Sequence, residues 1–458
     1  MMARGMRDTG VAARKIFHAE AQRGGGAEKM KPSGIPWIGD IPEGWNVYRI
    51  GAAYDITLGK MLSTEKIFPG DTQENYLCAA NIKWTGVDTE VSKQMWFSAE
   101  EKEQLVLEDG DVLVMEGGLA GTATIYRGEF APCYIQNSVL RCRTNSSKNN
   151  LTSFLYYWLY AIYSRGYIDS ICNKSTIQHY TKDKIVHTPF PVVPVIDQRR
   201  IVDYLDEKCA AIDAAVAEAK KGIEEYKAWK TSLIDDIVCN GITRRDSKKE
   251  TGEVWLANIP EEWNFTQIRY LFALRDERND KPLKDVNLIS LYTDKGVVQH
   301  SDLEKTTGNK ASTADGYKLV CENDIVVNII LCWMGAVGRS AYNGVTSPAY
   351  DVYRPIDPTK VLSRYYHYLF RTPRFNGKCY EEGRGIMMMR WRTYSSEFRA
   401  IKVPVPPLAE QKAIADYLDK KCAAIDALVA EKEALIADLE AYKKSLIYET
   451  VTGKREVA

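Results

Sequence analysis

Along residues 205–237 the apolar side chains return at alternating steps of four and three: Leu205, Cys209, Ile212, Val216, Ala219, Ile223, Tyr226, Leu233 and Ile237, with Lys230 the polar member of the row. That spacing is the seam of a long coiled-coil-like helix. The same steps recur at Leu418, Cys422, Ile425, Val429, Lys432, Ile436, Leu439, Lys443, Leu446 and Thr450. Prolines stand before each run (Pro194; Pro404, Pro406, Pro407) and a glycine after it (Gly241; Gly453), which are the start and stop signals of helices. Residues 197–239 alone would make a helix roughly 64 Å long at about 1.5 Å per residue. A seam of that length needs a partner. Elsewhere the pattern shortens to runs such as GDVLV (from Gly110) and NDIVV (from Asn323), which predict buried strands. The Tyr- and Leu-rich stretches FLYYWLYAIY (from Phe154) and RYYHYLF (from Arg364) predict buried helices. The reading outside the long helices is therefore mixed α/β.

The two helical runs are copies of one phrase. QRRIVDYLDEKCAAID from Gln198 and QKAIADYLDKKCAAID from Gln411 agree at 12 of 16 positions without a gap. KTSLI at 230–234 echoes KKSLI at 443–447 in the same register, and the lead-in WIGDIPEGWN from Trp37 echoes WLANIPEEWN from Trp255. The chain is thus two half-molecules, each with a lead-in, a variable domain of about 150 residues and a long terminal helix. Like halves that meet through like surfaces form a pseudo-two-fold contact, so the expected partner of each helix is its copy, antiparallel, with the variable domains at opposite ends. The alternatives are a helix packed on its own domain or an intermolecular coil. The expected fold class is α+β: two pseudo-repeated mixed α/β domains separated by an antiparallel pair of long helices. The expected segments are an N-terminal extension, disordered or non-native, over 1–30, a first domain over 31–195, a first helix over 196–243, a second domain over 244–407 and a second helix over 408–458.

Composition narrows the function. A chain of 458 residues suits several domains, and no apolar run approaches the roughly 18 to 20 residues of a membrane span. The ten cysteines are scattered without a CxxC or a Cys/His cluster, so neither zinc nor a disulfide framework is suggested, and a reducing cytoplasm is the expected location. No GxxxxGK[ST] loop, HExxH, GxSxG elbow or amino-methyltransferase [DN]PP[YFW] motif occurs, and the five histidines lie far apart. The glycine cluster GGLAG from Gly117 reads as a turn. Net charge is zero, yet residues 141–190 carry seven Lys/Arg against two Asp/Glu (net +5) and residues 361–402 carry nine against three (net +6). The helices reverse the sign: residues 197–239 carry seven basic and ten acidic side chains (net −3) and residues 409–458 eight and ten (net −2). Basic, aromatic-interleaved tracts at the end of each variable domain suit phosphate attraction, and an acidic helix pair suits protein instead. Ordinary solvated surface is the alternative reading of both.

The lead-in SGIPWIGDIPEGWNV, the strand-like GDVLV, the second-half WMGAVGRSAYNGVTSPAYDVYRP and above all PVPPLAEQKAIADYLDKKCAAIDALV resemble the specificity subunits of type I restriction-modification systems. The resemblance runs from about Lys31 to the C-terminus. The first half departs from it in IDQRR at 196–200, where the second has LAEQK, and in GGLAGTA where the second has MGAVG. The resemblance implies a non-catalytic reader of a bipartite, asymmetric DNA site. It implies two target-recognition domains, with helices that act as spacer and docking surface. It further implies double-stranded DNA, two methyltransferase subunits and restriction subunits as partners. No cofactor is expected on this chain; S-adenosylmethionine, ATP and magnesium belong to the implied partners, and no membrane is involved. A coiled-coil tether whose variable domains bind proteins is the rival, and an enzyme with an unrecognised site a further one.

On that reading the DNA-contact candidates of the first domain are Lys174, Ser175, Thr176, Gln178 and His179, a polar loop in the basic tract, followed by Gln136, Asn137 and Lys83. Those of the second are Arg384, Arg390, Trp391 and Arg392, with Arg374 and Lys378 as phosphate contacts. The expected helix seam is Leu205, Ile212, Val216, Ile223 and Leu233 against Leu418, Ile425, Val429, Ile436 and Leu446. No catalytic or metal-ligating residue is expected.

Overall fold

A computed structural model describes residues 29–145, 150–172, 178–302, 313–386 and 391–457, so nearly all of the expected N-terminal extension lies outside the described residues. The chain divides into two compact units: residues 1–220 with 434–458, and residues 221–433. Each unit contains one variable domain and a stretch of both long helices.

In chain order the first unit runs through β1 (Asn46–Arg49), β2 (Tyr54–Leu58), β3 (Thr72–Leu77), β4 (Gln94–Phe97), β5 (Val112–Met115), β6 (Ala123–Ile125), β7 (Cys133–Ile135), β8 (Val139–Thr144), α1 (Thr152–Ser164), β9 (Pro189–Val192) and the start of α2 (Val195–Asn240). Its main sheet is antiparallel in the order β6-β5-β8-β2, flanked by the sheet β7-β3-β4 and the pair β9-β1. The run VLVM of β5 is buried at every residue because its two faces enter different cores. Val112 and Val114 join the cluster around Phe154, Trp158 and Ile162 of α1, whereas Leu113 and Met115 join Phe97, Tyr134 and Ile135 of the flanking sheet. Alternation of side chains along a strand makes this division automatic.

The second unit repeats the plan with β10 (Asn264–Gln267), β11 (Phe272–Arg275), β12 (Ile325–Asn328), β13 (Val337–Arg339), β14 (Tyr350–Pro355), α3 (Ser363–Leu369), α4 (Pro373–Glu382), β15 (Lys402–Val405) and the start of α5 (Leu408–Val451). Its sheet order, β11-β14-β12-β13, matches β2-β8-β5-β6, and β10-β15 matches β1-β9. Again Ile325 and Val327 face one core and Val326 the other.

The repeated helical phrase is anchored identically in the two units. Gln198 is fully buried; its Oε1 accepts from the Leu151 N–H (2.9 Å) and its Nε2 donates to Asn150 Oδ1 and Val193 O (both 2.8 Å). Gln411, equally buried, accepts from Leu362 N–H (2.8 Å) and donates to Lys360 O and Pro406 O (2.9 and 2.8 Å). Two turns further along each helix, Asp206 accepts from the Tyr157 hydroxyl (2.6 Å) and Asp419 from that of Tyr368 (2.5 Å). The repeat therefore preserves the joint between helix and domain as well as the seam.

Within each unit the two helices run antiparallel. In the second, Gly222 lies beside the Lys432 side chain while Lys230 binds both oxygens of Asp426 at 2.7 Å. In the first, Lys443 binds both oxygens of Asp213 at 2.7 Å, the same contact one repeat apart. Lys230 and Lys443, equivalent polar members of the two apolar rows, thus form interhelical ion pairs, a polar device that fixes register. Of the expected seam, Leu205, Ile212, Val216, Ile223, Leu418, Ile425 and Leu446 are buried and Leu233, Val429 and Ile436 half-buried. The ends of the helices do a second job. Leu446, Ile447, Tyr448 and Val451 complete the core under Ile38, Ile41 and Trp45 of the first lead-in, and the Tyr448 hydroxyl donates to Trp37 O and Ile38 O (3.0 and 3.1 Å). Ile237, Val238 and Cys239 do the same under Trp255, Ile259 and Trp263 of the second. Pairing between helices and packing on a domain, posed as alternatives by the sequence, both occur.

Candidate nucleic-acid interface

In each unit the central strand ends in a loop whose first residue holds its neighbours through the backbone. In the first, Glu116 N donates to Ser138 O (2.9 Å) and Tyr180 N donates to Glu116 O (2.7 Å), after which Gly117 pairs with His179. Lys60 N donates to Ile135 O and Asn137 N to Lys60 O (3.0 and 2.8 Å), adding a fourth segment. Main-chain bonds thus gather loop 116–122, the turn 136–138, residues 178–180 and the segment after β2 at one end of the sheet. In the second unit Thr393 N donates to Ile329 O (2.9 Å). Glu116 and Ile329, and likewise Tyr180 and Thr393, are separated by the same interval as Gln198 and Gln411, so the two backbone joints are equivalent. The hairpin loop is one residue longer in the second unit, and Gly121 and Gly335 close the two versions with φ of +85° and +87°. A side chain there would be strained, and at Gly121 it would also collide with Ile168.

The structure brings together Gln136, Asn137, Gln178 and His179 around loop 116–122. Gln136 is held by its neighbours, its amide donating to the Asn137 side chain and accepting from the Ser138 hydroxyl. His179 is exposed and its carbonyl accepts from Lys184 Nζ at 2.7 Å. Lys174, Ser175 and Thr176 lie outside the described residues, as does Arg390 in the equivalent loop. Lys83 sits apart on a two-residue strand and pairs with Asp88 at 2.6 Å, a hydrogen bond that raises its pKa. In the second unit Arg384 and Arg392 exchange backbone hydrogen bonds (2.9 and 3.0 Å). Trp391 stacks on Tyr380 with ring centroids 5.0 Å apart and donates its indole N–H to Tyr380 O at 3.0 Å. Arg384 is 68% exposed; it pairs with Glu397 at 2.7 Å and lies over the Tyr394 ring at 5.2 Å.

Two candidate phosphate contacts are held by carboxylates. Arg374 donates to Asp235 of α2 at 2.7 Å, and that bond raises its pKa. Lys378 is 7% exposed among Glu253, Glu381 and Glu382 at 3.5, 3.3 and 2.7 Å. Lys378 is enclosed by its carboxylates, whereas Arg374 pairs with one and stays 43% exposed. The same holds more widely. Arg364 pairs with Asp416 and Asp419, and Arg371 donates to the carbonyls of Gly335, Val337, Thr293 and Asp294. Arg143 pairs with Asp111 and Glu108. Several cations of the two basic tracts, Arg143, Arg364, Arg374 and Lys378 among them, are therefore paired within the fold with carboxylates that the tract counts do not register. Sequence reasoning also passed over Lys60, Ser138 and loop 329–336 with Trp333 and Met334. The sequence sets GGLAGTA against MGAVG and marks no contact candidate in either; the register that superposes Gln198 on Gln411 places Ile329 opposite Glu116 at the start of both loops.

Among the described residues no group of three or more His, Cys, Asp or Glu could hold a metal ion. No described helix is long and apolar enough to cross a membrane.

Comparison with known proteins adds the following. Residues 42–224 and 260–437 each match the family described as the type I restriction modification DNA specificity domain. The chain is similar to the specificity subunit of the type I restriction enzyme EcoBI of Escherichia coli, 25% identical over 232 residues, which are 47% of this chain and 46% of that one. It is also similar to the MjaVIII specificity subunit of Methanocaldococcus jannaschii, 22% identical over 91% of this chain and 94% of that one. Among solved structures, its fold resembles a chain from a study of complex assembly and conformational transition of the type I R-M system, with a TM-score of 0.66 at 13% identity over 91% of this chain and 99% of the other. It also resembles the HsdS subunit from Thermoanaerobacter tengcongensis, with a TM-score of 0.51 at 15% identity over 91% and 98%.

Proposed function

Because the chain belongs to the type I restriction-modification DNA specificity family, we propose that it reads a bipartite, asymmetric DNA target, one half-site to each unit. The observation that carries this is the pair of loop clusters on one framework. The backbone joints at Glu116 and Tyr180 recur at Ile329 and Thr393, while the side chains they present differ: Gln178 and His179 in one, Trp391 and Arg392 in the other. A shared scaffold with unlike tips is what two readers of unlike half-sites require. Since Lys60, Lys83 and Arg384 already have carboxylate partners, reading by polar and aromatic edges is proposed to carry the specificity, with partner subunits supplying much of the phosphate contact.

The chain is proposed to be non-catalytic. Methyltransferase subunits, with S-adenosylmethionine, would add the methyl group, and restriction subunits, with ATP and magnesium, would cleave. The long helices are proposed as the ruler between half-sites and as the docking surface, because 12 of 16 positions in the helical phrase are identical and so offer one kind of partner two equivalent seats. Glu218 and Glu431, exposed at equivalent helical positions, are proposed to lie on that surface.

The test is long-read methylation sequencing of a host that expresses this chain with its methyltransferase partner. The expected result is methylation within one two-part motif. Exchanging residues 178–180 for 391–393 should change the first part alone, and heptad insertions in α2 and α5 should lengthen only the unread gap. Glu218→Lys with Glu431→Lys should abolish co-purification of the methyltransferase without unfolding the chain. Absence of any sequence-specific methylation or DNA affinity in the presence of partners would favour a protein-binding tether.

A further inference from the structure

Between β2 and β3 the first unit carries an apolar loop whose counterpart in the second unit is polar. In the loop between β2 and β3, Met61, Leu62, Ile67 and Phe68 are 74%, 56%, 65% and 64% exposed. Scattered exposed apolar residues are ordinary, but four large ones in one short loop mark a surface built for contact. The loop is also ordered. The Asp71 carboxylate, 5% exposed, accepts from the backbone N–H of Ile67 and Phe68 (3.2 and 3.0 Å), and Asp71 N donates to Phe68 O (3.0 Å). Trp96 N donates to Ser63 O (3.1 Å), and Lys66 lies over the Trp96 ring at 5.5 Å. A buried carboxylate therefore holds the tip with Ile67 and Phe68 turned outward, where collapse onto the domain would have hidden them.

Two observations identify what covers it. The loop leaves β2 through Lys60, whose backbone is bonded to Ile135 and Asn137, so it springs from the turn that bears Gln136 and Asn137. Its counterpart, residues 276–288 (DERNDKPLKDVNL), is polar and contains no exposed large apolar side chain. A partner seated twice on like surfaces would meet features common to both units. A loop that is apolar in one unit and polar in the other, rooted in the candidate reading loops, fits the ligand that differs between the units, which is the DNA half-site. Large apolar side chains at a stiff tip are the form that proteins use to part a base step and kink a duplex.

We propose that Ile67 and Phe68, flanked by Met61 and Leu62, are a wedge that unstacks one base step of the half-site read by the first unit. This rests on the two-reader function proposed above and adds an asymmetry to it: one half-site is deformed and the other is not. The test uses the full chain assembled with its methyltransferase partner on duplexes that carry its methylation motif, with 2-aminopurine placed in turn at positions that are not methylated. The wild-type assembly should raise 2-aminopurine fluorescence severalfold at one step of the first half-site and at no step of the second. Ile67→Ser with Phe68→Ser should abolish that rise and weaken binding severalfold while methylation of the same motif persists. Both positions are exposed, so folding should hold; Met61→Ser with Leu62→Ser provides a second variant. A duplex that is bound and methylated without any such rise overturns the wedge and leaves the two-reader function standing. A double variant that binds DNA normally but no longer assembles shows the loop to be a protein contact, which also overturns it. Failure of the function itself would appear differently, as the lack of any methylation motif.

Discussion

Both variable domains bury one aspartate at the same turn of the same sheet, and they neutralise it differently. Asp111 and Asp324 occupy equivalent positions of the repeat, each 2% exposed. Asp111 accepts from Glu108 N–H (2.8 Å) and Asp324 from Cys321 N–H (2.7 Å). In the first unit the cation is Arg143, on β8, with bonds of 2.7 and 2.6 Å. In the second it is Arg275, on β11, at 2.7 Å. Arg275 occupies the strand position held by Thr57 in the first unit, where Arg141 donates to the Thr57 hydroxyl. The requirement comes from the framework: a carboxylate that caps a buried turn must meet a cation, whichever strand delivers it. Burial still leaves its mark on Asp324, whose pKa is raised by desolvation, with the Cys321 N–H and Arg275 opposing.

The comparison can be broken most forcefully at those arginines. Arg143→Ala should destabilise the first unit, and Arg275→Ala the second, each by about 3–5 kcal/mol, because a buried carboxylate loses its cation. Calorimetry should show the loss in one unit's transition. Installing the second unit's arrangement in the first, by Thr57→Arg with Arg141→Val, should recover a large part of the Arg143→Ala loss. If it recovers none, the two solutions are not interchangeable.

Next come the buried glutamines, where the units should behave alike. Gln198→Ala and Gln411→Ala each strip partners from a buried N–H and from buried acceptors, at a cost on the order of 3 kcal/mol. A clear inequality in urea midpoints would show that the joint is not equivalent.

Acid should separate the units. His367 accepts from Arg339 N–H at 3.2 Å, and burial, with the charges of Arg371 and Arg339, lowers its pKa to about 3. Tyr156 occupies the matching place in the first unit. The unfolded chain takes up the proton near pH 6.5 and the folded one does not until about pH 3. This contribution is therefore complete above pH 6.5 and lost progressively as the pH falls toward 3. At pH 5 it amounts to about 2 kcal/mol against the second unit. Proteolysis at pH 5 should open that unit first, and His367→Tyr should remove the difference.

The smallest effect belongs to the interhelical ion pairs. Lys230→Ala and Lys443→Ala, whose Asp426 and Asp213 partners are each 61% exposed, should cost no more than about 1 kcal/mol, and equally. Exchanging the charges of Asp213 and Lys443 should restore the loss, and high salt should erase it.

What the sequence made legible follows from what it repeats. The phrases repeated in the lead-ins and helices exposed two halves, and the apolar steps in both copies exposed the helices. The polar letters kept between copies, Gln198 and Gln411, Asp206 and Asp419, Asp213 and Asp426, proved to be the ones with repeated contacts. The loops at the reading end resisted, since they are the part that the halves do not share. Their grouping depends on backbone bonds such as Tyr180 to Glu116, whose partners lie far apart in the chain and carry no common motif.

By itself, then, the sequence determined the duplication, the two long helices and the α/β character of each half, because periodic burial writes itself into periodic composition. The tertiary structure alone decided which charges remain available. Arg374 and Lys378, the candidate phosphate contacts of the second basic tract, meet Asp235, Glu253 and Glu382 in the fold. Tract counting sums charge along the chain, whereas electrostatic attraction depends on distance in space, and folding brings a carboxylate from 139 residues away to within 2.7 Å of Arg374.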